Sequence, residues 1–405
     1  MTQPAKNTAT TAPASTKAAA RAGAASVKPF AGILEAIIVE EPVLHSFPGS
    51  LGRTAAMAAW TWVVRDLCSD LISADGVGNG NFGPKDLEVV LPEVLVRMKI
   101  AIEASAKDNE AARRLRAQIG RDDANELLAV VQSALRSRAL LAKAVAFGKA
   151  LNTIAEDAAL GAAVQSVPMQ DQKVASLLFH ATVGQLTNPT RLITVLIKLA
   201  GNANEQAMVR AGFTPIIEAY LAHAQNQIHN LQLSGPFADI DLACRSLDRF
   251  HRLVRALTGY IEFVRGSRTS QVLSTLTKQV SDRVEPRLRE VGTDLNQALR
   301  RPREGADRLD NDRLLSAING VFLLATVRDC RDSLALNAVF DQAWNMTGEA
   351  LEMHIQRNID LLRQGNSDTY TGDRLDAAIK MAEVRFNPEY AETLRRSRQA
   401  AERRV

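Results

Sequence analysis

Four arginines, Arg245, Arg249, Arg252 and Arg255, recur at i, i+4, i+7 and i+10. A guanidinium fork is the side chain best suited to bidentate capture of phosphate or carboxylate. On a helix this spacing puts all four on one side, with Leu247, Phe250, Leu253, Val254 and Leu257 opposite. The bias extends further. Residues 244–303 hold thirteen Lys/Arg, twelve of them Arg, against six Asp/Glu, whereas the whole chain carries a net charge of only +4. These four arginines are therefore the candidate partner-binding residues, for an acidic protein surface, an anionic membrane or RNA. Phe250, Tyr260 and Phe263 read as core or boundary residues rather than as platforms for stacking bases. The competing reading is a solvated face closed by pairs such as Arg245 with Asp248.

Carboxylates offer a second chemistry. Asp122-Asp123-x-x-Glu126 resembles the acidic, magnesium-diphosphate-holding motif of the helical isoprenoid synthases. That resemblance implies a second motif with Asn/Asp, Ser/Thr and Glu at i, i+4 and i+8. Asn311-Asp312 is followed by Ser316, but Gly320 stands where Glu belongs. The cluster also opens a helix after Gly120, where acids cap free N–H groups and complement the dipole, and capping is the reading adopted. Residues 75–86 resemble an EF-hand loop, with Asp75 first, Asn79 fifth, Gly80 at the turn and Phe82 eighth. Val77 occupies the third position, where an oxygen belongs, and Asp86 replaces the longer bidentate Glu. Calcium needs roughly six to eight oxygens, so the segment is read as a Gly/Asn-rich connector and no metal site is assigned.

A third feature is architectural. The segment around residues 190–222 resembles one armadillo repeat through Leu199, Ala200, Asn202, Asn204, Glu205, Val209, Ala211, Gly212, Pro215, Ile216 and Leu221. A helix should end at Gly201, a short helix follow, Gly212 permit a sharp turn, and Thr214-Pro215 start a long helix. The resemblance implies stacked helices and a binding surface. No role is transferred to Asn226, late on that last helix, and neighbouring units at the ~40-residue period of such arrays are not evident.

The elements that must position these residues read as helices throughout. Ala and Leu supply much of the 46% apolar content, and aromatics are only 5%. Ile217, Leu221, Ala224, Ile228 and Leu231 share one helical face, and no hairpin signature separates alternating runs. Helix starts are marked at Gly83-Pro84, Asn188-Pro189, Thr214-Pro215, Gly235-Pro236 and Asn387-Pro388, where proline loses no hydrogen bond. Breaks fall at 75–83, 234–236, 301–305 and 365–372. Ala55 to Leu67, with Trp60 and Trp62, reads as a buried core helix. The C-terminal stretch from Arg385 reads as a basic helix, or a solvated terminus.

The expected fold is all-α: stacked helical hairpins, solenoid-like or bundled, behind a disordered tail at 1–29, with helical regions at 30–235 and 236–405. The tail lacks acidic residues and carries Lys6, Lys17, Arg21 and Lys28, a weak likeness to a transit peptide. Cys68, Cys244 and Cys330 are odd in number and far apart, which points to a reducing, cytoplasmic setting. No apolar run is long enough to span a membrane. The phosphate-binding glycine loops, the G-x-S-x-G elbow and H-E-x-x-H are absent, and the six histidines are scattered. No cofactor is implied. The leading expectation is a non-enzymatic scaffold or adaptor for a protein partner; the alternative is a peripheral protein that contacts membrane phosphates or RNA through the arginine face.

Overall fold

The computed structural model describes residues 27–233, 235, 238–300, 310–365 and 368–403. Its architecture is almost wholly helical. Residues 1–26 of the expected tail and the expected break at 301–305 lie outside the described residues. Phe30, the first residue of the expected folded region, is buried, and so is Pro29, the last residue of the expected tail, so folded structure reaches into the tail's edge.

Two compact units emerge. The first comprises described residues 27–38 and 53–138. It contains α1 (Arg53–Trp62), α2 (Ala74–Gly78), α3 (Pro84–Lys107), α4 (Asn109–Ile119) and α5 (Ala124–Arg136). Its interior is built on Trp60, which meets Phe30 at 5.1 Å and Phe82 at 6.3 Å between ring centroids. Leu87, Leu91, Val94 and Met98, one face of α3, are sealed among these elements together with Val131 and Leu135 of α5. Trp62 is also buried and donates to Gln118 Oε1 at 3.2 Å, which satisfies its ring N–H. The helix carrying both tryptophans is the buried element that its apolar run announces.

The second unit comprises residues 39–52 and those from 139 onward. The helices are α6 (Arg138–Leu151), α7 (Asp157–Gln165), α8 (Gln172–Val183), α9 (Pro189–Ala200), α10 (Glu205–Arg210) and α11 (Thr214–His229). They continue as α12 (Ile240–Thr258), α13 (Arg268–Leu299), α14 (Asn311–Cys330), α15 (Asn337–Arg363), α16 (Thr371–Arg385) and α17 (Pro388–Glu402). One core runs from Leu151 through α8, α9, α11, α12 and α13 to Ala343; a second joins α13 to α17. Residue 235, the expected boundary, falls inside this unit.

Helix starts follow local chemistry. Asn188, Asn204, Asp239, Ser267, Asp310 and Asn387 each accept a backbone N–H of the first turn, which fills an otherwise orphaned donor. The helix expected at Thr214-Pro215 begins at Thr214, and one expected start shifts. Pro236 is outside the described residues, and α12 begins at Ile240 behind Asp239. Residues 39–52 form no helix, because Pro42, Pro48 and Gly49 interrupt any helical run. They make an extended strap across α11: Gln225 Oε1 accepts from Leu44 N and His45 N, both at 2.7 Å, and its Nε2 donates to His45 O at 3.1 Å.

Candidate interaction surfaces

The sequence of α12 folds as its periodicity requires. Leu247, Phe250, Leu253, Val254 and Leu257 are all buried, and each fully buried side chain of this kind contributes about 1.5–3 kcal/mol. The arginines opposite do not share one environment. Arg245, Arg252 and Arg255 lie at the surface, and Arg252 pairs with Asp248 at 2.9 Å. Both partners of that pair are about half exposed, so it contributes less than about 1 kcal/mol. Arg249 turns inward. Its Nη1 donates to Leu186 O at 2.6 Å and its Nη2 to Val183 O at 2.9 Å. These carbonyls belong to the end of α8 and the turn after it, past the last i→i+4 bond of the helix; Val183 O also accepts Leu186 N at 3.2 Å. Burial pushes the Arg249 guanidinium below its usual range, with nearby Arg252 acting in the same direction. Arg249 is therefore a structural tie, and the candidate face reduces to three arginines around it.

The C-terminal basic helix is similarly compensated. On α17, Arg395 bonds Glu383, and Arg398 bonds Asp376 and Glu402. Arg404 lies outside the described residues.

The acidic cluster is exposed. Arg121 donates to both Asp123 oxygens, at 2.7 and 2.8 Å, and holds that carboxyl below the usual range. Asp123 precedes α5 but makes no side-chain cap, so ion pairing rather than the expected capping occupies it. The other half of the diphosphate-type pattern lies in the second unit. There Ser316 Oγ accepts from Arg287 at 3.0 Å and donates to Asp294 at 3.2 Å, while Gly320 lets α14 approach Val291 and Arg287. The expected connector at 75–86 is partly helical: Ser73 caps α2, and Asp86 accepts from Gly83 N at 2.8 Å to open α3. Among the described residues no group of three or more His, Cys, Asp or Glu is placed to hold a metal ion.

Residues 190–222 run through the three helices their local sequence suggests, α9, α10 and α11. Gly201 and Gly212 take the left-handed conformation at φ 74° and 81° that closes α9 and turns the chain into α11. The helices that follow, α12 and α13, are 19 and 32 residues long and do not repeat the triplet. Asn226 is occupied within the chain: its Oδ1 accepts from Glu40 N of the strap at 2.8 Å.

Several groups have no local sequence signature. Arg287 is buried beneath a cleft of about 530 Å3 and is bound by Asp294 at 2.5 Å and Ser316 O at 2.8 Å. Glu290, Asp294 and Asp312 line the same cleft, which gives it an acidic rim. Arg385 stacks over Trp344, 3.5 Å from the ring centroid, and burial lowers its pKa to about 10. His180 and His223 stack at 4.2 Å, and His223 Nε2 lies 2.6 Å from His180 O. His45, His180 and His354 are buried. Hydrophobic anchors are equally hidden from local reading. On α15, Met346 and Met353 are exposed one heptad apart, and Met346 lines a groove of about 180 Å3 with Leu288 and Gly292 of α13 and Val339 and Ala343 of α15.

The cysteines form no disulfide; Cys68 and Cys330 are buried, which raises both thiol pKa values. No helix among the described residues is long and apolar enough to cross a membrane. Comparison of the chain with protein-family models, curated proteins and solved structures returns no match.

Proposed function

We propose that this chain is a non-enzymatic helical scaffold that holds a protein partner. The observation that supports this most directly is the α13–α15 groove with exposed Met346 in its lining, and exposed Met353 one heptad further along α15. Unbranched thioether side chains repack around different apolar shapes at low cost, which suits a surface that receives a partner helix or loop. A cytoplasmic setting accords with three unpaired-in-disulfide thiols, and the armadillo-like segment supports the same stacked-helix role.

The test is gentle isolation at moderate salt followed by measurement of the complex mass. Met346→Glu with Met353→Glu should release the bound protein while leaving the helical circular dichroism and Tm unchanged. Retention of the same partner by the double variant defeats this reading.

Exposure of Arg245, Arg252 and Arg255 supports a second reading, contact with membrane phosphates or RNA. It requires binding that weakens steeply between low and physiological salt. Arg245→Glu with Arg255→Glu should abolish that binding; Arg249 is left intact because it ties α8.

A further inference from the structure

Helix α3 has two apolar faces. Leu87, Leu91, Val94 and Met98 occupy the inner one. On the opposite side Val89, Pro92, Val96 and Ile100 recur at i, i+3, i+7 and i+11, and Ala104 continues the line. These outer residues are exposed, Val89 by 81%, Val96 by 52% and Ile100 by 61%. From Val89 to Ile100 the stripe runs about 16 Å along the helix. Lone exposed aliphatics are ordinary, but a straight seam on a 24-residue helix is the pattern of a helix that packs on another.

The charges beside the seam identify its occupant. The first half of α3, residues 84–95, carries Lys85 against Asp86, Glu88 and Glu93. The second half, residues 96–107, carries Arg97, Lys99 and Lys107 against Glu103. Ion pairs from Arg138 to Glu88 and from Arg97 to Asp70 halve this asymmetry without reversing it; within α3, Arg97 also pairs with Glu93 at 2.9 Å and Lys99 with Glu103 at 3.6 Å, exposed pairs that a partner helix can share or exchange. A helix acidic at one end and basic at the other is complementary to itself when reversed, and antiparallel alignment also opposes the two helix dipoles.

We propose that the outer face of α3 docks against the same face of a second copy of this chain, antiparallel, about a two-fold axis at Val96. In that register Val96 meets its own copy, Pro92 meets Ile100, and Glu93 faces Lys99. Val89 comes beside Glu103 and Ala104. The contact is isologous, so it closes at a dimer.

Light scattering on the full chain, at concentrations up to about 100 μM, reads the prediction. The mass should approach twice the 44.0 kDa of one chain. Val96→Glu with Ile100→Glu should restore the single-chain mass with an unchanged helical spectrum. A wild-type mass that stays at one chain, or a double variant that remains dimeric, overturns the proposal. Orientation is read by oxidative cross-linking, with the wild type as the background for its native thiols. Val89→Cys mixed with Ala104→Cys should give a cross-linked pair, whereas Val89→Cys alone should not. Cross-linking of Val89→Cys to itself shows parallel helices and overturns the antiparallel assignment.

Discussion

Helices α3 and α12 are both amphipathic, and they resolve their second faces in opposite ways. Every large apolar side chain of α12 between Leu247 and Leu257 is buried, and its polar face includes one cation, Arg249, that the fold has taken inward. On α3 the inner face is equally buried, but Val89, Val96 and Ile100 remain in solvent. Residue type therefore misleads in both directions. A charged residue on a polar face became a tie between helices, and aliphatic residues at core-like spacing became surface. Neighbouring elements decide: the end of α8 and the turn after it present carbonyls with spare acceptor capacity where Arg249 reaches, whereas α4 and α5 cover only one side of α3.

The sharpest way to break this contrast is to truncate the two faces of α3 in turn. Leu91→Ala should cost about 2–5 kcal/mol in a urea titration, because a packed side chain leaves a cavity. Ile100→Ala should stay within about 0.5 kcal/mol of wild type when measured as a single chain. Equal losses would show that both faces are core.

An effect of similar size is expected for acid. All six histidines lie in the second unit. Burial holds the pKa of His223 near 4, and burial with Arg268 does the same for His45, against 6.5 when unfolded. The unfolded chain then takes up protons that the folded chain refuses. Stability is complete above pH 6.5 and falls as pH drops toward 4, by up to about 3 kcal/mol per histidine. Glu218 offsets part of this, since burial raises its carboxyl pKa. Hydrogen exchange, corrected for intrinsic rates, should quicken near about pH 5 in the strap and α11 before it does so in α1 and α3. Simultaneous loosening of both units would contradict the assignment.

On α12, Arg249→Ala should cost about 2–3 kcal/mol, since it strips charged donors from two buried acceptors. Arg245→Ala should change stability by under about 0.5 kcal/mol. Thermal melts of the two variants distinguish the tie from the surface cation. A small, salt-sensitive effect belongs to Asp248→Asn, which removes the exposed pair with Arg252 and should shift stability by at most about 1 kcal/mol, diminishing with salt.

The helical class, the buried face of α12, the buried tryptophan helix and the ends of α9 and α10 were legible in the sequence, because each depends on interactions within a few residues. Period, capping side chains and left-handed glycines act locally, and a helix reports its own apolar face wherever it packs. Long-range partners were not legible. Nothing near Arg249 in sequence indicates Val183 or Leu186, and nothing near Gln225 or Asn226 indicates residues 40–45. Nor does spacing reveal that Arg287 lies beneath a cleft while Arg245 faces water. Periodicity says which residues share a side of a helix; only the tertiary structure supplies what stands opposite, and with it the burial, dielectric and hydrogen-bond partners that turn a residue type into a role.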